Sequence, residues 1–286
     1  MEPREPTNTK VIQAGVIGWP VRHSLSPRLH GFWLEQYEIN SAYVPLEVRP
    51  EDCQDFLAHL AARGFAGINV TVPHKETAAA AVDMLDANAR RLGAVNTIVV
   101  QPDGALFGSN TDGFGFMENL TAGAPGWTPG NGPAVVLGAG GAARAVVAAL
   151  LGAGVPEVRL INRTFERAEV LADEIGGVIS VVDWENRSAA LDATALLINT
   201  TTLGMTGKPP LDLALDPLPL SAVVNDIGYA PVMTPLLEGA KNRGNSIVDG
   251  IGMLLHQARP GFRHWFGVEP EVTDSLKAHV LAGVRQ

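Results

Sequence analysis

A single cysteine, Cys53, stands in a chain of 286 residues. That excludes an intramolecular disulfide and a cysteine-built zinc cluster. The seven histidines form no HExxH and no i, i+4 pair, so the sequence offers no dedicated metal site. Cations are scarce: 21 Lys and Arg stand against 30 Asp and Glu, a net charge of −9, and no basic block occurs. Nucleic acid and anionic membranes are therefore poor partners, and an anionic ligand must be held by local donors. No secretory signal is expected either, because residues 1–10 are polar and proline-bearing and no apolar core follows them. The longest apolar tract, residues 134–155, is broken by glycines and carries Arg144, which argues against a membrane span. With 46% hydrophobic and 18% charged residues the composition is globular, and the length suits two domains. A soluble, cytoplasmic protein is the expectation.

What the chain does have is organised around residues 69–75, Asn-Val-Thr-Val-Pro-His-Lys. Residues 65–72 are apolar and β-branched, which predicts a buried strand, and Pro73 stops it. Lys75 then opens an alanine-rich helix over residues 76–85. A lysine at a strand-to-helix turn suits proton chemistry, since its ammonium responds to burial and nearby charge. A solvated lysine at a helix start is the plainer alternative. Upstream, residues 11–18 read as the first strand, and His-Ser-Leu-Ser-Pro at 23–27 leads into a helix ending near residue 39. Ser26 before Pro27 has the pattern of an N-cap. The same helix start suits a carboxylate, with Ser24 and Ser26 adding hydroxyl donors. A strand at 42–48, a helix at 51–63 stopped by Gly64, a helix at 86–92 and a hairpin of 94–101 with 105–109 complete the half. Alternating strands and helices predict a mainly parallel sheet. Asn96 begins the hairpin, where a turn role is open to it. Asp112 ends the return strand and stands as N-cap to a helix over 113–120.

Residues 121–132, rich in Gly, Pro and Thr without periodicity, predict a linker. A strand at 133–137 then runs into Gly138-Ala139-Gly140-Gly141-Ala142-Ala143, a G-x-G-x-x-G/A loop with its strand before and its helix after. The first glycine permits the tight turn, the second lets a pyrophosphate reach the backbone, and Ala143 leaves room for helix packing. The next strand, 158–161, ends in Asn162-Arg163-Thr164, with Arg167 one helical turn on. No acid stands where an NAD protein binds the ribose 2′-OH. Arg163 can offer a planar fork to a 2′-phosphate, so NADP is expected. Thr164 can also cap the helix that follows. Strands at 178–182, 195–199 and 222–227 come next, and their carboxyl ends put 199–205 and 226–229 beside the nicotinamide. After a short strand at 246–249, Gly250 opens an apolar helix carrying Met253 and Gln257. Gln257, taken alone, reads as a core amide. A last helix over 274–284 follows Thr273 as N-cap.

In this order the stretches resemble the shikimate dehydrogenase family from Ile17 to Gln257. The carriers are Gly18-Trp19-Pro20-Val21 with residues 23–27, Gly67 to Lys75, Gly93 to Thr97, Gly108 to Gly113, the glycine loop, Asn162-Arg163-Thr164, Asn199 to Met205, Asp226 to Tyr229 with Pro231, and Gly252-Met253-Leu254 with Gln257. Thr200 departs from it, standing where a smaller residue is expected. The resemblance implies a two-domain α/β fold, with a mainly parallel substrate domain at residues 1–120 and a Rossmann domain at 121–250. Helices at about 251–286 return to the first domain. It implies NADPH-dependent, reversible reduction of 3-dehydroshikimate to shikimate, in aromatic amino acid biosynthesis, by a monomer or homodimer that needs no metal. Lys75 and Asp112 match the catalytic pair. Ser24 and Ser26 match the carboxylate holders, with Tyr229 helping from the other domain, and Thr71, Asn96 and Gln257 match the binders of ring hydroxyls. The cofactor set is Gly138, Ala139, Gly140, Gly141, Ala142, Asn162, Arg163, Thr164, Arg167, Thr201, Met205, Ile227, Gly250 and Met253. A quinate or dual quinate/shikimate dehydrogenase is the near alternative. A non-catalytic NADP-binding regulator is a further one, and the presence of Lys75 and Asp112 speaks against it.

Overall fold

The computed structural model describes residues 11–284; the polar stretch at 1–10 lies outside the described residues. The first sheet is built from β1 (Gln13–Gly18), α1 (Ser26–Gln36), β2 (Ala42–Glu47), α2 (Cys53–Ala58), β3 (Phe65–Val70), α3 (Lys75–Ala81), β4 (Met84–Leu85), α4 (Ala87–Leu92), β5 (Thr97–Val100) and β6 (Leu106–Ser109). Its strand order is β2-β1-β3-β5-β6-β4. β5 alone runs against the rest, antiparallel to both β3 and β6. The start of β5 therefore lies at the edge where β3 and β6 end, with Thr97 opposite Asn69 on one side and Ser109 on the other. That reversal brings three loops to one edge.

Alternation along the strands sends side chains to two cores. Val16 joins Leu29, Trp33, Tyr43 and the aromatic Phe262 and Trp265 on one face. Ile17 joins Cys53, Leu57, Ile68 and Ile98 on the other. Two helices end sooner than their sequence suggests. The expected helix at 51–63 is a 3₁₀ turn, Pro50–Asp52, followed by α2. Leu60 N–H bonds back to Leu57 O, tightening the chain so that Leu60 is buried. α3 stops at Ala81, because Val82 turns extended and Met84–Leu85 pair with β6.

The second sheet follows α5 (Asp112–Gly123), with β7 (Ala134–Leu137), α6 (Gly141–Gly152), β8 (Val158–Ile161), α7 (Phe165–Ile175), β9 (Ile179–Val182), β10 (Leu196–Asn199), β11 (Val223–Asp226), α8 (Pro235–Arg243) and β12 (Ser246–Val248). Its order is β12-β11-β10-β7-β8-β9, with every pairing parallel. β7 is buried on both faces, Ala134 and Val136 toward α5 and α6, Val135 and Leu137 toward α8. A near-continuous apolar strand is what a doubly covered parallel sheet requires. α5 runs three residues into the expected linker, because Phe116 and Leu120, one turn apart, pack into the core of the second sheet. The last two helices, α9 (Ile251–Phe266) and α10 (Asp274–Leu281), lie with α1 over the first sheet. No helix among the described residues is long and apolar enough to cross a membrane.

Candidate active site

A cavity of about 380 Å³ lies between the carboxyl edges of the two sheets. All eight residues expected to act on substrate line it: Ser24, Ser26, Thr71, Lys75, Asn96, Asp112, Tyr229 and Gln257. They come from separate loops and helix starts along the chain, so the cleft exists only in the folded protein. Asn69 lines it too and is absent from the set expected from sequence. Its signal was available, since Asn69 and Thr71 are two apart at a strand end and face the same way.

Lys75 Nζ donates to Asp112 Oδ2 at 2.5 Å. The two side chains are 24% and 12% exposed, which leaves the pair open to the cleft on one side only. Asn96 Nδ2 donates to the other carboxylate oxygen at 2.8 Å. The expectation that Asp112 caps its helix is overturned: it is the first residue of α5, after Thr111, and makes no cap bond. Its carboxylate still meets the positive end of the helix dipole, which favours its charge. Asn96 is buried, and its Oδ1 accepts from Thr111 N–H at 2.9 Å. It holds the loop together while presenting its amide to Asp112. Gln257 is drawn into the same group: Thr111 Oγ1 donates to its backbone carbonyl at 2.8 Å, and Asn96 Nδ2 reaches its Oε1 at 3.4 Å.

At the other end of the cleft Ser26 is likewise not a cap. It is the first residue of α1, preceded by Leu25 in helical conformation, and Pro27 follows. Ser24 Oγ instead accepts from Ser26 N–H at 3.3 Å. A cap needs an extended residue before the first helical turn, and the turn from Val21 to Ser24 supplies none. The Ser26 hydroxyl is thereby left to the cavity and its buried floor. Across the gap Tyr229 is half-buried, and burial raises its phenol pKa above the ordinary value, so it remains a neutral donor.

The second sheet contributes Ile227, Gly250 and Met253 to the cavity wall. Gly250 is required there, because a Cβ would fall 2.2 Å from Ile227 O. The dinucleotide loop fits its expected ligand. Gly138 turns at φ +107°, and Cβ atoms at Gly140 or Gly141 would meet nothing within 4 Å, so the backbone is open to an approaching pyrophosphate. Ala139 and Arg167 share a shallow pocket beside the loop, and Ala142 follows in the first turn of α6. Asn162 Nδ2 donates to Thr164 O at 2.8 Å, shaping the turn after β8. Thr164 holds the N-cap position of α7 without a side-chain cap bond, and Arg163 is exposed with no bond or ion pair among the described residues. Both are free to meet a phosphate. Thr201 and Met205 do not line the cavity. The Thr201 hydroxyl donates to Asn199 Oδ1 at 2.7 Å, and Met205 packs behind Gly228. Thr200 also points away, its hydroxyl donating to Leu137 O at 2.6 Å just before the glycine loop.

Residues 16–98 match the family described as shikimate dehydrogenase substrate binding domain. Residues 130–204 match shikimate / quinate 5-dehydrogenase, and 250–275 the shikimate 5'-dehydrogenase C-terminal domain. The chain is 62% identical to a shikimate dehydrogenase (NADP(+)) of Paramagnetospirillum magneticum, over 94% of this chain and 98% of the relative. Shikimate 5-dehydrogenase from Thermus thermophilus, solved in complex with NADP(H) and shikimate, matches with a TM-score of 0.83 at 37% identity, over 96% of this chain and 98% of that one. Quinate dehydrogenase from Corynebacterium glutamicum in complex with NAD matches with a TM-score of 0.89 at 29% identity, over 95% and 99%.

Proposed function

The chain belongs to the shikimate dehydrogenase family, and from that premise we propose that its cleft carries the reversible, NADPH-dependent reduction of 3-dehydroshikimate to shikimate. The observation that carries this reading is the Lys75–Asp112 pair, 2.5 Å apart, in a cavity otherwise lined, His23 apart, by hydroxyls, amides and apolar groups. NADPH, when bound, supplies hydride to the ketone carbon. The protein's residues handle the charge and the proton. Negative charge grows on the ketone oxygen, and the Lys75 ammonium stabilises it and can deliver a proton. Asp112 keeps that lysine charged and aimed, and Asn96 keeps the carboxylate still. Ser24 and Ser26 hold the substrate carboxylate at the start of α1, with Tyr229 closing from the opposite wall. Thr71, Asn96 and Gln257 read the ring hydroxyls, and an analogue lacking one leaves a polar group unpaired.

Gly138, Ala139, Gly140, Gly141 and Ala142 take the pyrophosphate, while Asn162, Arg163, Thr164 and Arg167 take the 2′-phosphate. Ile227, Gly250 and Met253 flank the nicotinamide, with Thr201 and Met205 supporting from behind. Residues 1–120 with 251–286 act as the substrate domain, and 121–250 as the dinucleotide domain, α5 and α9 bridging them. The protein works in the cytoplasm as a monomer or homodimer, without a nucleic-acid or membrane partner, in keeping with its acidic charge. The test is the fall in NADPH absorbance with 3-dehydroshikimate and its rise from NADP with shikimate, repeated with quinate and with NAD. Faster turnover of quinate with NAD than of shikimate with NADP would move the reading to the activity named for the Corynebacterium structure.

A further inference from the structure

Beneath the cleft floor a chain of hydrogen bonds runs in one direction. Tyr43 O–H on β2 donates to Asn69 Oδ1 at 2.7 Å. Asn69 Nδ2 donates to Thr97 Oγ1 at 3.1 Å, and also to Asn96 O at 3.1 Å. Thr97 O–H donates to Asn96 Oδ1 at 3.0 Å. Asn96 Nδ2 ends the chain on Asp112 Oδ1 at 2.8 Å. Each donor after the first is thus also an acceptor from the one before, and bonds linked this way polarise one another. Tyr43 begins the series. Its hydroxyl on the oxygen, together with the Asn96 main-chain carbonyl on the nitrogen, sets which end of the Asn69 amide points toward β2 and which is left to donate toward Thr97.

The phenol is held for this task. Tyr43 is buried, and its ring stacks on His30 with centroids 3.9 Å apart and planes 9° apart. His30 is itself fully buried with neither ring nitrogen bonded. Burial also raises the Tyr43 phenol pKa well above the ordinary value, which keeps it a donor. Tyr43 does not itself line the cleft, and its phenol also lies within hydrogen-bonding reach of Ser26, which does.

We propose that Tyr43 is a positioning residue for catalysis, fixing the orientation of the Asn69 amide and, through Thr97 and Asn96, of the Asp112 carboxylate. The inference rests on the reading of Asp112 as a catalytic group. Tyr43→Phe keeps the ring stack and removes only the first donor. It lowers kcat about five- to tenfold, the scale of one hydrogen bond, and leaves the KM for NADP within about twofold. In an Asn96→Ala background, where the chain is already cut, Tyr43→Phe changes kcat no further. Thr97 gives a second entry should Tyr43→Phe not fold: the near-isosteric Thr97→Val reproduces the loss of kcat, and Thr97→Ser, which keeps the hydroxyl, restores it. A folded Tyr43→Phe enzyme with unchanged kcat, or an equal loss with and without Asn96, overturns the proposal. So does equal kcat in Thr97→Val and Thr97→Ser. A normal kcat in Asp112→Ala would instead strike down the reading of Asp112 itself, and the two failures are thus told apart.

Discussion

Two aspartates close corresponding edges of the two sheets and meet opposite fates. Asp112, after β6, has a lysine on one oxygen and an asparagine on the other, and faces the cleft. Asp226, ending β11, is 1% exposed and has only neutral partners. Asn199 Nδ2 and Thr234 Oγ1 donate to its Oδ2 at 3.1 and 2.8 Å, and Gly228 N–H donates to its Oδ1 at 2.9 Å. Burial raises the Asp226 pKa, and those bonds work against the rise. The same residue type, helped in each case by an asparagine, is reactive in one place and a brace in the other. The difference lies in the cation and the opening. A carboxylate paired with an ammonium at a cleft can keep a proton donor charged and aimed. One wrapped in neutral donors ties β10, β11 and the start of α8 together and meets nothing from outside.

The sharpest way to break this contrast is to remove each acid. Lys75→Ala and Asp112→Ala should each cut turnover by roughly 10²–10⁴-fold, with NADP affinity nearly unchanged. The double mutant should be little worse than either, because groups acting as one unit are strongly non-additive. Single-turnover rates with saturating NADPH and 3-dehydroshikimate read this directly, and near-normal chemistry in Lys75→Ala would sink the mechanism. Asp226→Ala should do the reverse. It strands three buried donors and should cost about 3 kcal/mol of stability, seen as a lower denaturation midpoint, while the folded fraction turns over within a few-fold of normal. A large loss of turnover without loss of stability would erase the distinction between the two acids.

Cations extend the comparison. Lys75 is paired, whereas Arg163 is exposed and without a partner among the described residues. Arg163→Ala should weaken NADP by about 1.5–3 kcal/mol, the worth of a hydrogen bond to a charged group, and leave NAD nearly alone. Equal losses for both in titrations would mean that Arg163 does not read the 2′-phosphate. The smallest effect concerns His30, a buried base with no acid at all. Burial pushes its pKa down to about 3 from 6.5. Below pH 6.5 the unfolded chain takes up a proton there that the folded chain refuses, so stability falls as the pH drops from 6.5 toward 3 and is unaffected by this group above 6.5. Between about pH 6.5 and 5 the loss is about 2 kcal/mol, at about 1.36 kcal/mol per pH unit. His30→Phe keeps a flat ring against Tyr43 and should flatten this dependence in denaturation midpoints. An unchanged slope would place the titration elsewhere.

How much was legible in advance differs between these same regions. The glycine loop could be read whole, because Gly138 to Ala143 sit in consecutive positions and a strand and helix flank them. Lys75 and Asp112 could be named from motifs, but their 2.5 Å contact depends on β3 and β6 ending at one edge, which the reversal of β5 arranges. Asn96 could be picked out as a turn residue or a ligand. That its amide would brace Asp112 from the neighbouring loop could not.

The amino-acid sequence by itself determined the two-sheet architecture, the phosphate loop and the residue types at the cleft, since periodicity, glycines and short polar motifs act over a few neighbours. Only the tertiary structure decided what those polar groups do. Ser26 and Asp112 have the composition of caps, yet each is the first residue inside its helix, because capping depends on the backbone angles of the residue before. Tyr43 reads along the chain as one more half-buried strand residue. Its phenol gains a role only through contact with Asn69, 26 positions away. A hydrogen bond between distant residues is fixed by strand register and the packing of both sheet faces. Local sequence supplies the donor and the acceptor, and the fold alone brings them together.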